Sequence, residues 1–195
     1  MVFEKIRECG GLGIFCHPYW FAGKRYDVPV PLTDALLETR PFDALEVIGG
    51  YHRFEVESNT LQAARYHEER LRRGELPVVG VSDAHGCRRD ELFGWYYTIV
   101  FAPACDPDDL IEGVKGLWSV AVEAMPGESP RPHGPFRLVK YALFLLREVF
   151  PAHDALCREE GGLMLDHVRG DASAAEKLAA LSGRTARLHD SLWAG

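Results

Sequence analysis

Val78-Val79-Gly80-Val81-Ser82-Asp83-Ala84-His85-Gly86 is an apolar run that stops abruptly at an acid and an imidazole two residues apart. Residues i and i+2 of an extended chain project to the same side. A buried strand over 78–82 therefore delivers Asp83 and His85 together at its carboxyl end, which is half of a metal or acid/base site. The other half has to come from elsewhere. Strands that bring polar side chains to one common edge are the mark of an α/β sheet.

The rest of the chain alternates in a way that suits such a sheet. Val2, Phe3 and Ile6 have helical spacing, and Gly10-Gly11 closes that helix. Residues 12–16 form a short apolar run, a buried parallel strand, that ends in His17-Pro18. A loop over 26–31 leads to a helix over 32–39, with Thr33 or Asp34 as N-cap. A second strand over 44–48 ends in Gly49-Gly50. The polar helix over 57–73 follows, capped by Asn59, with a narrow apolar stripe at Leu61, Ala64 and Leu71 and its surplus Arg and Glu on solvated faces. Beyond the strand at 78–82, a β-rich segment at 96–101, a helix from Asp106 to about Lys115 and a strand at 118–122 complete an α/β layer of mostly parallel strands. Residues 1–124 are thus one α/β unit. The proline-rich stretch 125–135 reads as a linker and 136–195 as a helical appendage of three helices, with Gly161-Gly162 able to break the middle one.

Composition removes several classes of function. Of 195 residues, 47% are hydrophobic and 26% charged, which fits a globular chain and argues against disorder. A net charge of -7 gives no broad reason to bind nucleic acid or an anionic membrane. No apolar stretch is long enough to span a bilayer. Five cysteines without a C-x-x-C pair read as reduced thiols, and the expected location is the cytoplasm.

Three strand ends carry polar residues: His17, Glu46 with the nearby His52, and Asp83 with His85. Imidazole and carboxylate suit zinc, manganese or iron. Each residue also has a plainer reading. His17 before a proline can be a packed turn residue, Asp83 can cap a turn, and Glu46 by its period can face the helix layer as a structural carboxylate. Arg25 and Arg88 lie in loops past strand ends, where they can bind a phosphate or simply be solvated.

Gly13-Ile14-Phe15-Cys16-His17-Pro18, Ala44-Leu45-Glu46-Val47 and Gly80-Val81-Ser82-Asp83-Ala84-His85 resemble, in order and spacing, the later motifs of the PHP (polymerase and histidinol phosphatase) superfamily. The resemblance runs from the start to about Val122. It implies a distorted β/α barrel of seven strands that binds up to three divalent metal ions and hydrolyses phosphoesters at the strand ends. His17 then matches the late histidine ligand, and Asp83 and His85 the final pair, which doubles as the catalytic centre. The family's opening His-x-His is absent from this sequence, as are the following histidine and the metal-bridging glutamate.

The expectation is therefore a partial, truncated PHP-type barrel with a helical C-terminal region, lacking part of the metal site. Its function would be that of a metal-dependent phosphoesterase acting on a small phosphorylated substrate, weakly active or inactive alone. A half-barrel would expose a strand edge and favour pairing as a homo-oligomer or with a missing N-terminal part. The alternative is a non-catalytic PHP-like module that works in oligomerisation or protein interaction.

Overall fold

A computed structural model describes residues 2–52, 55–86 and 92–193. The elements in chain order are α1 (Val2–Glu8), β1 (Ile14–Phe15), β2 (Phe21–Ala22), β3 (Arg25–Tyr26), α2 (Val30–Thr39), β4 (Ala44–Ile48), α3 (Val56–Arg73), β5 (Val78–Gly80), β6 (Tyr96–Val100), α4 (Pro107–Lys115), β7 (Ser119–Glu123), β8 (Arg131–His133) and α5 (Phe136–Phe144). A π-helical turn at Leu145–Val149, then α6 (Phe150–Val168), α7 (Ala174–Ala180) and α8 (Arg184–Trp193) follow. Two compact units emerge, Met1–Ala142 and Leu143–Gly195.

The first unit is α/β, as the alternation of elements predicts. Its parallel sheet has the order β1-β4-β5, with Ile14 opposite Ala44, Phe15 opposite Leu45, and Leu45 opposite Val78. The central strand β4 is buried along its whole length, which is why its sequence is a near-continuous apolar run rather than an alternation. Leu45, Val47 and Val78 join Leu37 of α2 and Tyr66 of α3 in the larger core. Ala44 and Val79 pack with Val114 of α4 in a smaller one.

The expectation of mostly parallel strands fails beyond β5. β6, β7 and β8 form a separate antiparallel sheet, with Tyr96 opposite Glu123 and Val100 opposite Ser119. The reason lies in the connection. Phe101 N–H donates to the Trp118 carbonyl at 2.8 Å, so α4 sits in an excursion that leaves and returns at one strand end instead of crossing the sheet. Among the described residues no sheet closes into a barrel. The two three-stranded sheets are stitched by hydroxyls. Thr98 Oγ1 donates to the Gly80 carbonyl at 2.9 Å and accepts from the Gly80 N–H at 3.0 Å, and Ser119 Oγ donates to the Val78 carbonyl at 2.7 Å.

Several local expectations are corrected. Residues 21–26 form a hairpin, β2 paired with β3, where only a loop is legible from residue 26 on. α2 starts at Val30 with Pro29 at its cap, and Thr33 is instead buried, donating to the Pro18 carbonyl at 3.5 Å. α3 buries a polar face, Ser58, Asn59, Gln62, Tyr66 and Glu69, while Leu71 is 88% exposed, so the apolar stripe points the wrong way. Buried Glu69 is ringed by Arg65 (3.3 Å), Arg73 (3.5 Å) and Arg40 (3.8 Å), and these charges belong to a packed contact rather than a solvated surface. The stretch read as a linker contains β8, whose backbone completes the second sheet next to β7.

In the second unit α6 runs unbroken through Gly161-Gly162, and the break comes before α8 near Gly183, at φ +74°. A salt bridge of 2.8 Å between Arg184 and Glu159 ties α8 to α6. Among the described residues no helix is long and apolar enough to cross a membrane.

Candidate functional site

The three parallel strands end side by side, and the polar residues past their ends meet there. His17 follows β1, Glu46 is the middle residue of β4, and Asp83 follows β5. His17 and Asp83 both adopt the left-handed conformation, at φ +51° and +50°. Non-glycine residues seldom occupy that region, and they concentrate at functional turns. The conformation turns the chain sharply out of each outer strand on either side of β4.

Glu46 is the centre of the cluster. It is 0% exposed, and its Oε1 accepts a hydrogen bond from His17 Nδ1 at 3.0 Å. Oε2 has no hydrogen-bond partner. A carboxylate on Nδ1 fixes the imidazole as the tautomer whose Nε2 carries a free lone pair, the arrangement by which proteins orient metal-binding histidines. Gly49 and Gly50 are required by this packing: a side chain at Gly49 would collide with Glu46 Oε1, and one at Gly50 with Asp83 Cβ. Asn59 grips the same turn by both ends of its amide, accepting from Gly49 N–H at 2.9 Å and donating to the Gly49 carbonyl at 3.3 Å. Gln62 donates to the Glu46 carbonyl at 3.2 Å and accepts from Tyr51 OH at 2.7 Å.

The electrostatics of the cluster have one sign. The Cys16 thiol is pushed up to about 12, by burial first and then by Glu46 and Asp83. His17 is raised, chiefly by its hydrogen bond to Glu46 and against the opposing effect of burial, with Asp83 and Asp27 adding to it. Tyr51 is raised by burial and then by Glu46. The charges that shift these groups are carboxylates, so the field at the strand ends is negative and favours a cation. The donor types, imidazole nitrogen and carboxylate oxygen, fit zinc, manganese or iron. As they stand, no three His, Cys, Asp or Glu side chains among the described residues are grouped to hold an ion.

The remaining expected residues are placed less tightly. Asp83 is exposed at the rim and His85 is exposed beyond it. His52 is exposed, with its ring edge-on to Trp95 at 6.2 Å, and its backbone N–H donates to Glu55 Oε2 at 3.1 Å. Arg25 is exposed on β3. Arg88 lies outside the described residues. Cys16 and Gln62 also belong to the cluster, as do Tyr51, beside His52 past the strand end, and Asn59, which the sequence marks only as a helix cap. The register could have marked Cys16, one step past the Phe15–Leu45 pair and so level with Glu46.

Compared with family models, with curated proteins and with solved structures, the chain matches none.

Proposed function

We propose that the strand ends of the first unit form a divalent-metal site of a PHP-type phosphoester hydrolase. His17, Asp83 and His85 are its ligands in this reading, and Asp83 and His85 face the reacting group. The observation that carries it is the hydrogen bond from His17 Nδ1 to the buried Glu46, which leaves Nε2 available in a field of negative sign. Glu46 is a positioning residue: it holds the tautomer and the ring. Divalent ions bound here would supply a water of lowered pKa and positive charge for a phosphoryl oxygen. The chain's own field repels phosphate, so a small phosphorylated substrate depends on those ions, with Arg25 and, from its place in the sequence, Arg88 as candidates for additional phosphate contacts. A centre with the family's full set needs more ligands than these three, and turnover by this chain alone is therefore weak or nil.

Calorimetric titration of the full chain with Mn²⁺ or Zn²⁺ tests the reading. Binding is expected, and Glu46→Gln should weaken it about 10- to 100-fold through loss of the oriented, more basic imidazole. His17→Asn and Asp83→Asn should weaken it further. A wild-type chain that takes up neither ion, or whose binding ignores all three substitutions, would overturn the proposal. Hydrolysis of a simple phosphoester with Mn²⁺ that is abolished by Asp83→Asn would dispose of the non-catalytic module.

A further inference from the structure

The second unit carries a separate cluster. His153 and Cys157 are four residues apart on α6, one turn on the same face. Cys157 Sγ lies 3.7 Å from His153 Nδ1 and 3.6 Å from Nε2. With zinc–sulfur and zinc–nitrogen bonds of about 2.3 Å and 2.0–2.1 Å, a tetrahedral ion spans a sulfur and a nitrogen about 3.6 Å apart. The spacing of the two donors is therefore already that of two ligands on one ion.

A third donor comes from α8. His189 lies beside His153 with ring centroids 5.7 Å apart and planes 19° from parallel. Three contacts fix this meeting. Phe144 packs on Trp193 with centroids 5.9 Å apart, His153 on His189, and Glu159 pairs with Arg184 at 2.8 Å. As the residue number rises on one side it falls on the other, so α8 runs antiparallel to α6 and His189 faces the His153–Cys157 turn by register. Asp154 Oδ1 stands 3.3 Å from His153 Nδ1, a carboxylate placed as the outer partner of a ligating imidazole is. Cys157 and His189 are exposed, open to an ion from solvent.

We propose that α6 and α8 bind a thiophilic divalent cation of the zinc class through Cys157 Sγ, His153 and His189. As they stand the rings are stacked rather than convergent, and among the described residues no set of three is closed around a point. Binding turns the exposed His189 ring and the half-buried His153 ring about their χ angles, and water completes the shell. One thiolate with two imidazoles selects Zn²⁺ or Co²⁺ over Mg²⁺ and Mn²⁺. Ligation also joins two helices that among these contacts share one salt bridge and one ring contact.

The test is titration of the full chain with Co²⁺ under reducing conditions, read by absorption, followed by displacement with Zn²⁺. A thiolate-to-cobalt charge-transfer band is expected, cleared by Zn²⁺ and unaffected by excess Mg²⁺. Cys157→Ser should abolish the band. His153→Asn and His189→Asn should each lower Co²⁺ affinity by more than about tenfold, the least expected even of an outer-shell partner. Far-ultraviolet circular dichroism of each variant checks that the helices persist, so a lost band cannot be mistaken for lost folding. Absence of the band in the wild type overturns the proposal. So does a band that survives Cys157→Ser, which would belong to another thiol such as Cys16, or an affinity indifferent to His189→Asn.

Discussion

Two histidines of the first unit titrate in opposite directions, and the causes are visible in their surroundings. His17 is raised above its ordinary 6.5 by its bond to Glu46. His133, on β8, is lowered by burial, against the pull of Glu123, and its Nε2 is buried without a hydrogen-bond partner. For His17 the folded state holds the proton more tightly than the unfolded chain. Its contribution to stability is full below pH 6.5 and is lost as the pH rises through the folded value. For His133 the unfolded chain holds the proton more tightly, so its contribution is full above pH 6.5. It begins to fall away as the pH drops through 6.5 and is gone below the folded value. Urea midpoints of the metal-free chain across about pH 5 to 8 should show this. His17→Gln should make stability rise more steeply with pH, and His133→Gln should flatten it on the acid side. Two variants that tilt the curve the same way would refute the assignment. If the proposed site holds an ion at His17 Nε2, the ion competes with the proton, so its affinity should climb with pH through the same range, opposite in sign to the His17 contribution in the metal-free chain.

The junction of β4 and α3 is where a polar helix face becomes structural. Asn59 satisfies both backbone groups of Gly49 from one amide, and Gln62 reaches the Glu46 carbonyl one turn on. Asn59→Ala strands the buried Gly49 N–H, at about 1–3 kcal/mol, while the Gly49 carbonyl keeps the Tyr51 N–H at 2.7 Å. We expect a fall in stability of about 1–3 kcal/mol, with Asn59→Asp losing less because it keeps the acceptor for the Gly49 N–H. Equal losses in the two variants would show that the clamp does not act through Gly49. This junction also explains what the sequence could and could not reveal. Asp83 and His17 were legible because a polar residue at the end of an apolar run is unusual whatever the fold. Glu46 was ambiguous because period alone cannot tell a buried carboxylate with a partner from one in a helix layer, and the partner lies 29 residues away. Asn59 reads as a cap because Asn near a helix start normally is one, and only the approach of Gly49 changes its role. The face of α3 was inverted because Leu71 is apolar and exposed, while Gln62 is buried against Glu46 and Tyr51, and Glu69 is buried among Arg65 and Arg73 of its own helix and Arg40.

At the scale of the whole chain, the two units present two kinds of donor set to solvent. The first offers imidazole and carboxylate in a negative field, the second a thiol with two imidazoles. Hard and borderline ions should separate them. A bound ion stabilises the folded state by RT ln(1 + [L]/Kd), about 2.7 kcal/mol at a hundredfold excess over Kd, and hydrogen exchange reports that gain segment by segment. With Mn²⁺, slower exchange is expected in the strand ends at Ala44–Ile48 and Val78–Gly80, with Arg184–Trp193 unchanged. With Zn²⁺, Arg184–Trp193 and the facing turn of α6 should slow as well, and Cys157→Ser should remove that second effect while leaving the first. If Mn²⁺ slowed α8 as strongly as it slows the strand ends, ligand softness would not be what distinguishes the two clusters. If Zn²⁺ slowed the strand ends alone, the α6–α8 site would be lost and the strand-end site would stand. The reverse outcome, protection confined to α8 with either ion, would remove the strand-end site and leave the helical one.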